Sequence, residues 1–577
     1  MIHLILTFIS FLLVGAAQAE IKICSEVVVH GDDDIDLTET EKRMVCGDPE
    51  LNAYKNIPAY QARFFFQGFL QSRGYLNPHF EIEGETLHVH VGKVAYLKKL
   101  EVQAERKNES KHVDDEIERF FIDKKVTPGL LDGIESDGLS VLRQRGYPCA
   151  EAKTEFDVEN RLARLNLNRL YQHNFGILGK EPIESLHPNA FERFYPFEAG
   201  DKFNERLLTL TEKRMLRAEV VQGTYFLEEC TDEGKNFSLS QRFILGNPRT
   251  IRFGAGASTE VGPMARIRWS HNRYERMASL LTANLQASFR SQSLTLTADS
   301  FFWEDKPRQS LLTQFEIVRE SQIDYEELVA RFEPHMKWTS DFFNRFWIFT
   351  LGPTLQTGTF HIEETNSTRT FSTGSVEGAL QWTSHDYEFY DIHPQEGDMF
   401  GLNFDWRDPM FGFSDPLLKL ESSYVKLKRI TPWGRGNAVG GVRLMAATTL
   451  VPDNVSIASL PPSVKFYGGG SDDIRGFLLR TLPDNNGRGA LSKVGLKLEL
   501  RKTHLFIDAL EGFVFLDSAY FSERSWDLES RRWQSPGLGV RWLSPIGLVQ
   551  TFMARGYATR PYEDFGNYYY IGLGGSF

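Results

Sequence analysis

From about residue 249 onward the chain consists of short segments in which apolar and polar residues alternate, and this pattern is the strongest constraint on the fold. Residues 493–501 give the clearest case. Four of their aliphatic side chains would share one strand face: Val494, Leu496, Leu498 and Leu500. Successive side chains of a β-strand point to opposite faces, so a period of two predicts strands with one apolar and one polar face. Residues 537–543 repeat the pattern, and this part of the chain has no convincing helical period.

The length of this region and the charge on its polar faces favour a membrane barrel over a soluble sandwich. A sandwich rarely exceeds about 250 residues, and its polar face is seldom so charged. Aromatic clusters at residues 301–303 and 342–347 are typical of strand ends at a membrane interface. The mean hydropathy of −0.33 is too polar for a helical membrane protein. We predict an antiparallel transmembrane β-barrel of about 16 strands over residues 249–577.

The start of the chain has the pattern of an export signal. Residues 4–14 are an apolar run, and Ala17-Gln18-Ala19 offers a small-residue cleavage pattern before Glu20. A membrane anchor is the alternative, but the run is shorter than the roughly 17 apolar residues that a spanning helix needs. We therefore predict a signal peptide over residues 1–19.

Four cysteines follow this signal: Cys24, Cys46, Cys149 and Cys230. In an oxidising compartment an even number favours disulfides, and no Cys-x-x-Cys spacing indicates a zinc site. Cys24 and Cys46 are close in sequence, so we predict a bridge between them. For Cys149 and Cys230, a bridge and two buried free thiols are equally compatible with the sequence.

Residues 20–248 mix helical and strand-like segments that repeat about every 75 residues. In the first two copies a helix-like run ends at a Gly-Tyr pair, at Gly74 and Gly146, and short strands follow. Glycine commonly ends a helix. In the third, looser copy residues 207–221 are helix-like and Gly223 follows. The pattern predicts three β-α-α-β-β units, over residues 20–92, 93–171 and 172–248.

A glycine-rich loop at residues 468–477 is the most specific motif. A phosphate-binding loop would need Gly-Lys-Ser/Thr and a following helix, and neither occurs here. With the repeats and the barrel, Ile474, Arg475, Gly476 and Phe477 resemble the (Val/Ile)-Arg-Gly-(Phe/Tyr) loop of the outer-membrane assembly-factor superfamily, which includes BamA, TamA and two-partner secretion transporters. The resemblance implies POTRA domains ahead of a 16-stranded barrel, and a loop that folds back into the lumen.

Two acidic residues extend the resemblance. Glu499 stands where the family has an acidic strand residue, and Asp517 belongs to a Phe-x-Asp element, although Ala519 replaces the usual following glycine. In the family the loop arginine pairs with acidic residues of the barrel wall. A guanidinium in a lumen is costly unless it is paired, and its planar fork suits a carboxylate. We predict that Arg475 pairs with Glu499, Asp517 or both.

Residues 537–547 are similar to the family's Gly-x-Gly-x-Arg…Ser-Pro-x-Gly strand and turn, which places Gly537, Gly539 and Arg541 among the expected site residues. The chain ends on an aromatic residue, Phe577, which we add to that set. Three POTRA-type units favour the TamA branch of the family. Residues 196–203 and 259–263 also resemble that branch, at its last POTRA domain and first hairpin.

The resemblance implies a translocation and assembly module subunit in the outer membrane of a Gram-negative bacterium, with its N-terminal domains in the periplasm. The implied partners are a TamB-like protein anchored in the inner membrane, unfolded outer-membrane clients such as autotransporters, and the lipid bilayer. The alternative is a secretion pore of the two-partner type, which passes a polypeptide through the lumen. Such transporters have an N-terminal plug helix, and residues 20–55 contain no long uninterrupted helical run.

Glycines near both ends of the predicted barrel suggest how such a protein would act. A barrel closes by pairing its first and last strands, and glycine weakens side-chain packing across that seam. The glycines in question are Gly254, Gly256, Gly572, Gly574 and Gly575. A client strand could add to an opened edge by β-augmentation. Strand glycines are equally expected where a barrel wall curves, so the sequence leaves both explanations open.

Several other classes of function are not favoured. A net charge of −12 argues against a nucleic-acid partner, which would require a basic surface. No nucleophile elbow or His-Glu-x-x-His helix occurs, so we expect neither an enzyme nor a cofactor. His88 and His90 could share a metal on one strand, but no third ligand is apparent in the sequence. Residues 32–34 form an acidic run without EF-hand spacing, which is more typical of a solvated turn.

Overall fold

The computed structural model describes residues 20–24, 27–30, 35–48, 57–105, 107–363, 366–390, 393–412, 416–430, 436–484, 487–507, 509–529, 531–545 and 547–573. The predicted signal peptide, the acidic run 32–34, Gly574, Gly575 and Phe577 lie outside these residues. The chain forms two compact units. One comprises Met1–Leu178, Ala199–Arg206 and Glu228–Leu239, and the other comprises Gly179–Glu198, Leu207–Leu227 and Ser240–Phe577. The predicted boundaries at residues 92, 171 and 248 stay predictions.

The first predicted repeat folds as a four-stranded sheet with two helices. In chain order its elements are β1 (Glu20–Cys24), β2 (Val27–His30), α1 (Glu39–Cys46), α2 (Ala59–Ser72), β3 (His79–Glu83) and β4 (Thr86–His90). The sheet order is β1-β2-β4-β3. The repeat has one strand more than predicted, because residues 20–30 form two antiparallel strands instead of one. α2 ends before Gly74, whose φ of +92° is a conformation that glycine adopts readily.

The second predicted repeat has the expected β-α-α-β-β order. Its elements are β5 (Lys99–Ala104), α3 (Lys107–Phe121), α4 (Pro128–Gln144), β6 (Glu151–Asp157) and β7 (Leu162–Asn168). α4 begins where the Thr127 side chain accepts a hydrogen bond from the Leu130 backbone N–H, with Pro128 at the first helical position. Leu142 and Leu165 are among the fully buried residues that join the helices to the sheet.

The third predicted repeat departs from its pattern. Its elements are β8 (Gly179–Lys180), a 3-10 helix at Pro188–Phe194, α5 (Glu205–Arg217), β9 (Gly223–Thr231) and β10 (Asn236–Ile244). The first helix stays a short 3-10 turn, because Tyr195 precedes a proline and such a residue disfavours helical conformation. The helix predicted to reach Val221 ends at Arg217. Glu219 adopts a φ of +55°, and Gly223 begins a strand instead of ending a helix.

The three sheets nevertheless share one topology. In each, the strand ahead of the helices lies parallel to the last strand of the repeat: β2 with β4, β5 with β7, and β8 with β10. The remaining strand of each terminal hairpin lies at the opposite edge. This common order confirms the internal repeat and the predicted α+β class.

Residues 249–573 form a closed barrel of sixteen strands in which the neighbours are antiparallel. The strands are β11 (Arg249–Ser258), β12 (Gly262–His271), β13 (Leu280–Ser288), β14 (Ser291–Ser300), β15 (Gln309–Ser321), β16 (Tyr325–Phe342), β17 (Arg345–Ile362), β18 (Ser367–Ser384), β19 (Gly397–Arg407), β20 (Leu417–Ile430), β21 (Ala438–Leu450), β22 (Ser492–Lys502), β23 (Leu510–Ser522), β24 (Arg532–Ser544), β25 (Gly547–Thr559) and β26 (Glu563–Leu573). A four-residue helix, α6 (His385–Glu388), lies between β18 and β19.

The predicted alternation holds in the barrel wall. On β22, Val494, Leu498 and Leu500 are exposed on the outer face, while the charged residues between them contact groups inside the barrel. Of the aromatic clusters, Phe343 is exposed as expected. Phe301 is instead buried, with the Arg193 guanidinium 3.9 Å from its ring centre.

No described helix is long and apolar enough to cross a bilayer.

Candidate functional site: the luminal loop and the barrel seam

The segment between β21 and β22 folds into the barrel, and we call it the luminal loop (residues 451–491). Its Ile474 and Phe477 are buried in a cluster with inward-facing residues of the wall, including Phe521 on β23, Trp533 on β24 and Ala558 on β25. The Phe477 and Trp533 rings lie edge to face, with their centres 5.6 Å apart. The motif therefore lies against the inner wall formed by β22–β25.

Arg475 forms the central ionic contact between the luminal loop and the wall. Its Nε and Nη2 donate to the two carboxylate oxygens of Asp517, at 2.8 and 2.9 Å, and its Nη1 donates to Glu499 at 2.7 Å. The Arg475 backbone N–H donates to the same Asp517 carboxylate at 3.0 Å. Arg475 is 3% exposed and Asp517 is fully buried. The structure thus pairs Arg475 with both predicted carboxylates, in the forked geometry that only a guanidinium provides.

A second arginine and an aromatic ring complete this ionic cluster. The Phe515 ring lies beneath the Arg475 guanidinium, with its centre 3.5 Å from Cζ. Arg541 on β24 donates to Glu499 at 2.9 Å and to Glu511 at 3.0 Å. Glu499 is therefore shared between an arginine of the loop and an arginine of the wall.

The predicted glycines of β24 make room for the aromatic side chains of β23. A Cβ on Gly537 would overlap the Phe515 ring and lie 2.6 Å from the Met553 carbonyl oxygen, and a Cβ on Gly539 would lie 2.6 Å from the Phe513 ring. Gly476 packs against β24 in the same way, since a Cβ there would lie 2.9 Å from the Ser535 Cβ. A side chain at any of these positions would force the wall or the loop to shift.

Several loop contacts have no counterpart in the sequence prediction. Lys493 on β22 donates to the Asp473 carboxylate at 2.8 Å, and Lys497 donates to the Asp472 carbonyl at 2.8 Å. Arg480 contacts Glu320 on β15 and the Tyr325 hydroxyl on β16. The alternation of β22 places its lysines inside the barrel, but nothing in the sequence indicates which loop atoms they meet.

The seam, which we define as the junction of β11 and β26, is the shortest strand pairing in the barrel wall among the described residues. It consists of Ala257 opposite Leu573 and Ser258 opposite Gly572. The backbone N–H of Thr259 adds a hydrogen bond to the Ile571 carbonyl at 3.0 Å. A Cβ on Gly256 would lie 2.5 Å from the Leu573 carbonyl oxygen, so glycine permits this close approach of the two strands.

The disulfides and the histidines lie in the N-terminal repeats. The structure joins Cys24 to Cys46, with Cα atoms 6.0 Å apart, and Cys149 to Cys230, with Cα atoms 5.8 Å apart. His30 on β2 lies beside the predicted pair, with its Nε2 2.9 Å from Nδ1 of His88, and its ring stacks on His90. Within the described part of the chain, no group of three His, Cys, Asp or Glu side chains has a metal-binding arrangement.

A closed sixteen-stranded barrel, α/β repeats of one topology ahead of it and an arginine-bearing loop against the inner wall define an outer-membrane β-barrel protein with POTRA-like N-terminal domains. A family model, the Omp85 superfamily domain, matches residues 236–577. Because the match covers more than half of the chain, the protein belongs to the Omp85 superfamily, as the sequence resemblance predicted.

Three solved structures are similar to this chain. BamA from Haemophilus ducreyi lacking POTRA domains 1–3 is 15% identical, with 83% of this chain and 99% of that chain covered and a TM-score of 0.49. CdiB from Acinetobacter baumannii is 15% identical, with 83% of this chain and 90% of that chain covered and a TM-score of 0.46. CdiB from Escherichia coli is 12% identical, with 88% of this chain and 95% of that chain covered and a TM-score of 0.47. Family membership rests on the match to the Omp85 superfamily domain.

Proposed function

We propose that the protein assists the insertion or translocation of client polypeptides at the outer membrane, by opening the seam and pairing a client strand with an exposed barrel edge. The observation that carries this proposal is the short seam, with two residue pairs in the described part of the chain. Other neighbouring strands pair over eight residues or more. Because each residue pair adds backbone hydrogen bonds, the described part of the seam is less costly to open than the other strand junctions of the wall.

The strand edge beside the seam supports the proposal. On the seam side, residues 563–570 of β26 have no strand partner among the described residues. An unpaired strand edge presents N–H and C=O groups at regular spacing, and an extended client segment can satisfy them by β-augmentation. The addition of a client strand requires no covalent chemistry, so we propose that the protein is not an enzyme.

We propose further that this is a TamA-type subunit of a translocation and assembly module, that autotransporters are among its clients, and that a TamB-like inner-membrane protein is its partner. Three POTRA-like repeats support the TamA type. Crosslinking in cells followed by purification tests the partner. Recovery of an inner-membrane-anchored protein supports the assignment, and recovery of client polypeptides alone contradicts it.

A disulfide lock tests the seam itself. The pair Ala257→Cys and Leu573→Cys would join residues that face each other across the seam. In proteoliposomes, we expect the oxidised lock to abolish assembly of an autotransporter client and a reducing agent to restore it. Heat-modified mobility on gels shows whether the barrel remains folded.

The matched control joins residues that face each other within the wall. Ala265→Cys and Ala287→Cys lie on β12 and β13, and their oxidation should leave assembly unchanged. If the seam lock retained full activity, the client would have to pass through the lumen. That result would favour the secretion pore over the seam mechanism.

A further inference from the structure

The turn between β11 and β12 contains a half-buried carboxylate that contacts the luminal loop and the last strand of the barrel. Glu260 accepts hydrogen bonds from the backbone N–H of Ser471 at 2.6 Å and from the Ser471 hydroxyl at 2.8 Å. It also accepts one from the Tyr568 hydroxyl on β26, at 3.0 Å. One side chain of the first hairpin therefore holds both the luminal loop and the last strand.

The surroundings of Glu260 distinguish it from an ordinary surface glutamate. Among the described residues it forms no ion pair, and its three hydrogen-bond donors are neutral. Burial, the largest cause, raises the pKa of the Glu260 carboxyl above its usual value, and the negative charge of Asp472 raises it further. A half-buried carboxylate without a cation is costly, so the hydrogen bonds of Glu260 are the favourable interactions that keep it in place.

Two glycines with positive φ place Ser471 of the luminal loop next to Glu260. Gly469 and Gly470 have φ values of +101° and +96°, which L side chains rarely adopt. Ser471 follows them directly, and Arg475 lies four residues further along, in its ionic contact with the wall. If the loop left the wall, it would withdraw Ser471 from Glu260.

We infer that Glu260 is a positioning residue that couples the luminal loop to the seam, so that a seated loop favours a closed seam. The inference deepens the proposed function and rests on it for its biological use. Besides the two residue pairs of the described seam, Thr259 hydrogen-bonds Ile571 and the Tyr570 hydroxyl contacts Ser258 and Ser471. The hydrogen bond from Tyr568 to Glu260 adds to these contacts between β26 and the first hairpin. Coupling of this kind is reciprocal: withdrawing the loop loosens the seam, and opening the seam loosens the loop.

Tyr568→Phe is the sharpest test, because it removes only the donor on β26. Hydrogen exchange of the full-length protein in lipid nanodiscs, without client, reports the loop peptide (residues 468–477) and the β26 peptide separately. We expect exchange of the loop peptide to become about tenfold faster, although the altered residue lies on a strand. Unchanged exchange in the loop would overturn the coupling.

Substitutions of Glu260 itself also test the coupling between the luminal loop and the seam. Glu260→Ala should accelerate exchange in both peptides about tenfold. Glu260→Gln retains one carbonyl acceptor and should have a smaller effect on both. If Glu260→Ala accelerated only one of the two peptides, the carboxylate would not couple them and the inference would fail.

Glu363→Ala provides the matched control, since Glu363 lies in the turn after β17, is largely exposed and, among the described residues, has its carboxylate 4.0 Å from His361. This variant should change the exchange rate of neither peptide. If it accelerated exchange in both, the effect of Glu260→Ala would reflect a general loosening of the barrel and would not support the coupling. The readout is independent of client assembly. An active disulfide lock would refute the proposed function and leave the exchange coupling intact, whereas uncoupled exchange would refute this inference alone.

Discussion

The seam and the opposite side of the wall are built from the same kind of strand but hold together very differently. β17 and β18 pair over eighteen residues, from Arg345 opposite Ser384 to Ile362 opposite Ser367. Within the described residues, β11 and β26 pair over two. The difference lies in how far the neighbouring strands overlap, since all of these pairs are antiparallel. Within the described residues, the seam therefore contributes far fewer backbone hydrogen bonds to the closed wall than β17 and β18 contribute.

The Arg-bearing motif of the luminal loop is attached to the last strands before the seam. The ionic contacts of Arg475 lie on β22 and β23, and the aromatic contacts of the motif reach β24 and β25, whereas Arg480 of the same loop contacts β15 and β16. β17 and β18 are held together by their long pairing. This arrangement suggests that the loop compensates for the weak junction, and the following predictions test that comparison.

The largest effect is expected from Arg475→Ala, which leaves the Asp517 and Glu499 carboxylates without their loop partner. Removing one member of a buried ion pair typically costs roughly 3–5 kcal/mol. We expect the luminal loop to become sensitive to protease and client assembly to fall, while β16–β18 remain protected from hydrogen exchange.

Arg475→Lys should be nearly as harmful, because an ammonium cannot form the forked contact with Asp517. Limited proteolysis followed by mass spectrometry locates the cleavage sites, and heat-modified gel mobility controls for barrel folding. A fully active Arg475→Ala protein with a protected loop would show that this ionic cluster does not hold the loop.

An identical change at two glycines compares the wall with the seam. Gly537→Ala would place a Cβ in overlap with the Phe515 ring and 2.6 Å from the Met553 carbonyl oxygen, and Gly256→Ala would place one 2.5 Å from the Leu573 carbonyl oxygen. In the wall we expect a loss of roughly 1–3 kcal/mol, measured as a lower temperature of barrel unfolding. At the seam, the last strand can move away, so we expect faster exchange near Leu573 and little change in the unfolding temperature.

Gly401→Ala on β19 is the matched control for both variants. A Cβ there meets only the Ser423 hydroxyl, at 3.3 Å, so neither unfolding nor exchange should change appreciably. Equal losses of unfolding temperature for Gly256→Ala and Gly537→Ala would mean that the seam stabilises the barrel as much as the wall does. The comparison would then be wrong.

The smallest effect is a pH dependence at the base of β11, where Glu219 accepts hydrogen bonds from Thr250, Ser270 and Asn272. Burial raises the pKa of the Glu219 carboxyl, but the hydrogen bond from Asn272 and the charge of Arg252 outweigh it and hold the pKa below its usual 4.5. Because the folded-state pKa is the lower one, this stabilisation is complete above pH 4.5 and is lost as the pH falls further. As the pH falls, hydrogen exchange in β11 should therefore increase before it increases in the other barrel strands.

Hydrogen exchange of the β11 peptide, corrected for the intrinsic pH dependence of exchange, measures this effect between pH 6 and pH 3. Glu219→Gln cannot titrate and should remove the acid-induced difference at this site. A β11 peptide that responds to acid equally in the native protein and in Glu219→Gln would assign the response to other carboxylates.

The features that the sequence predicted have a local signature. The period of two predicted the barrel and the faces of β22, and the loop motif led to the pairing of Arg475 with the wall carboxylates. The features that it missed depend on contacts between distant residues. Glu260 and Ser471 are 211 residues apart, and Arg214 of α5 pairs with Asp341 on β16 across 127 residues. Neither contact has a periodic or motif-like trace in a single sequence.

The third repeat shows the limit of helical patterns. Residues 207–221 have helical periodicity, yet Val220 and Val221 are buried beyond the end of the helix. The positive φ of Glu219 turns the chain there and directs a carboxylate toward β11 and β12. These tertiary contacts stabilise a backbone conformation that is unusual for glutamate. Helix propensity does not predict such contacts.

The shared carboxylate Glu499 has a consequence for the reversibility of the loop. If Arg475 departs, Glu499 keeps Arg541, which already donates to it at 2.9 Å. Asp517 lies directly opposite Lys497, whose ammonium would be released from the Asp472 carbonyl at the same moment. Each wall carboxylate thus has a substitute cation on the wall. Glu499 and Asp517 can therefore each keep a cation nearby when Arg475 leaves, so the loop resembles an exchangeable counter-ion more than a permanent plug.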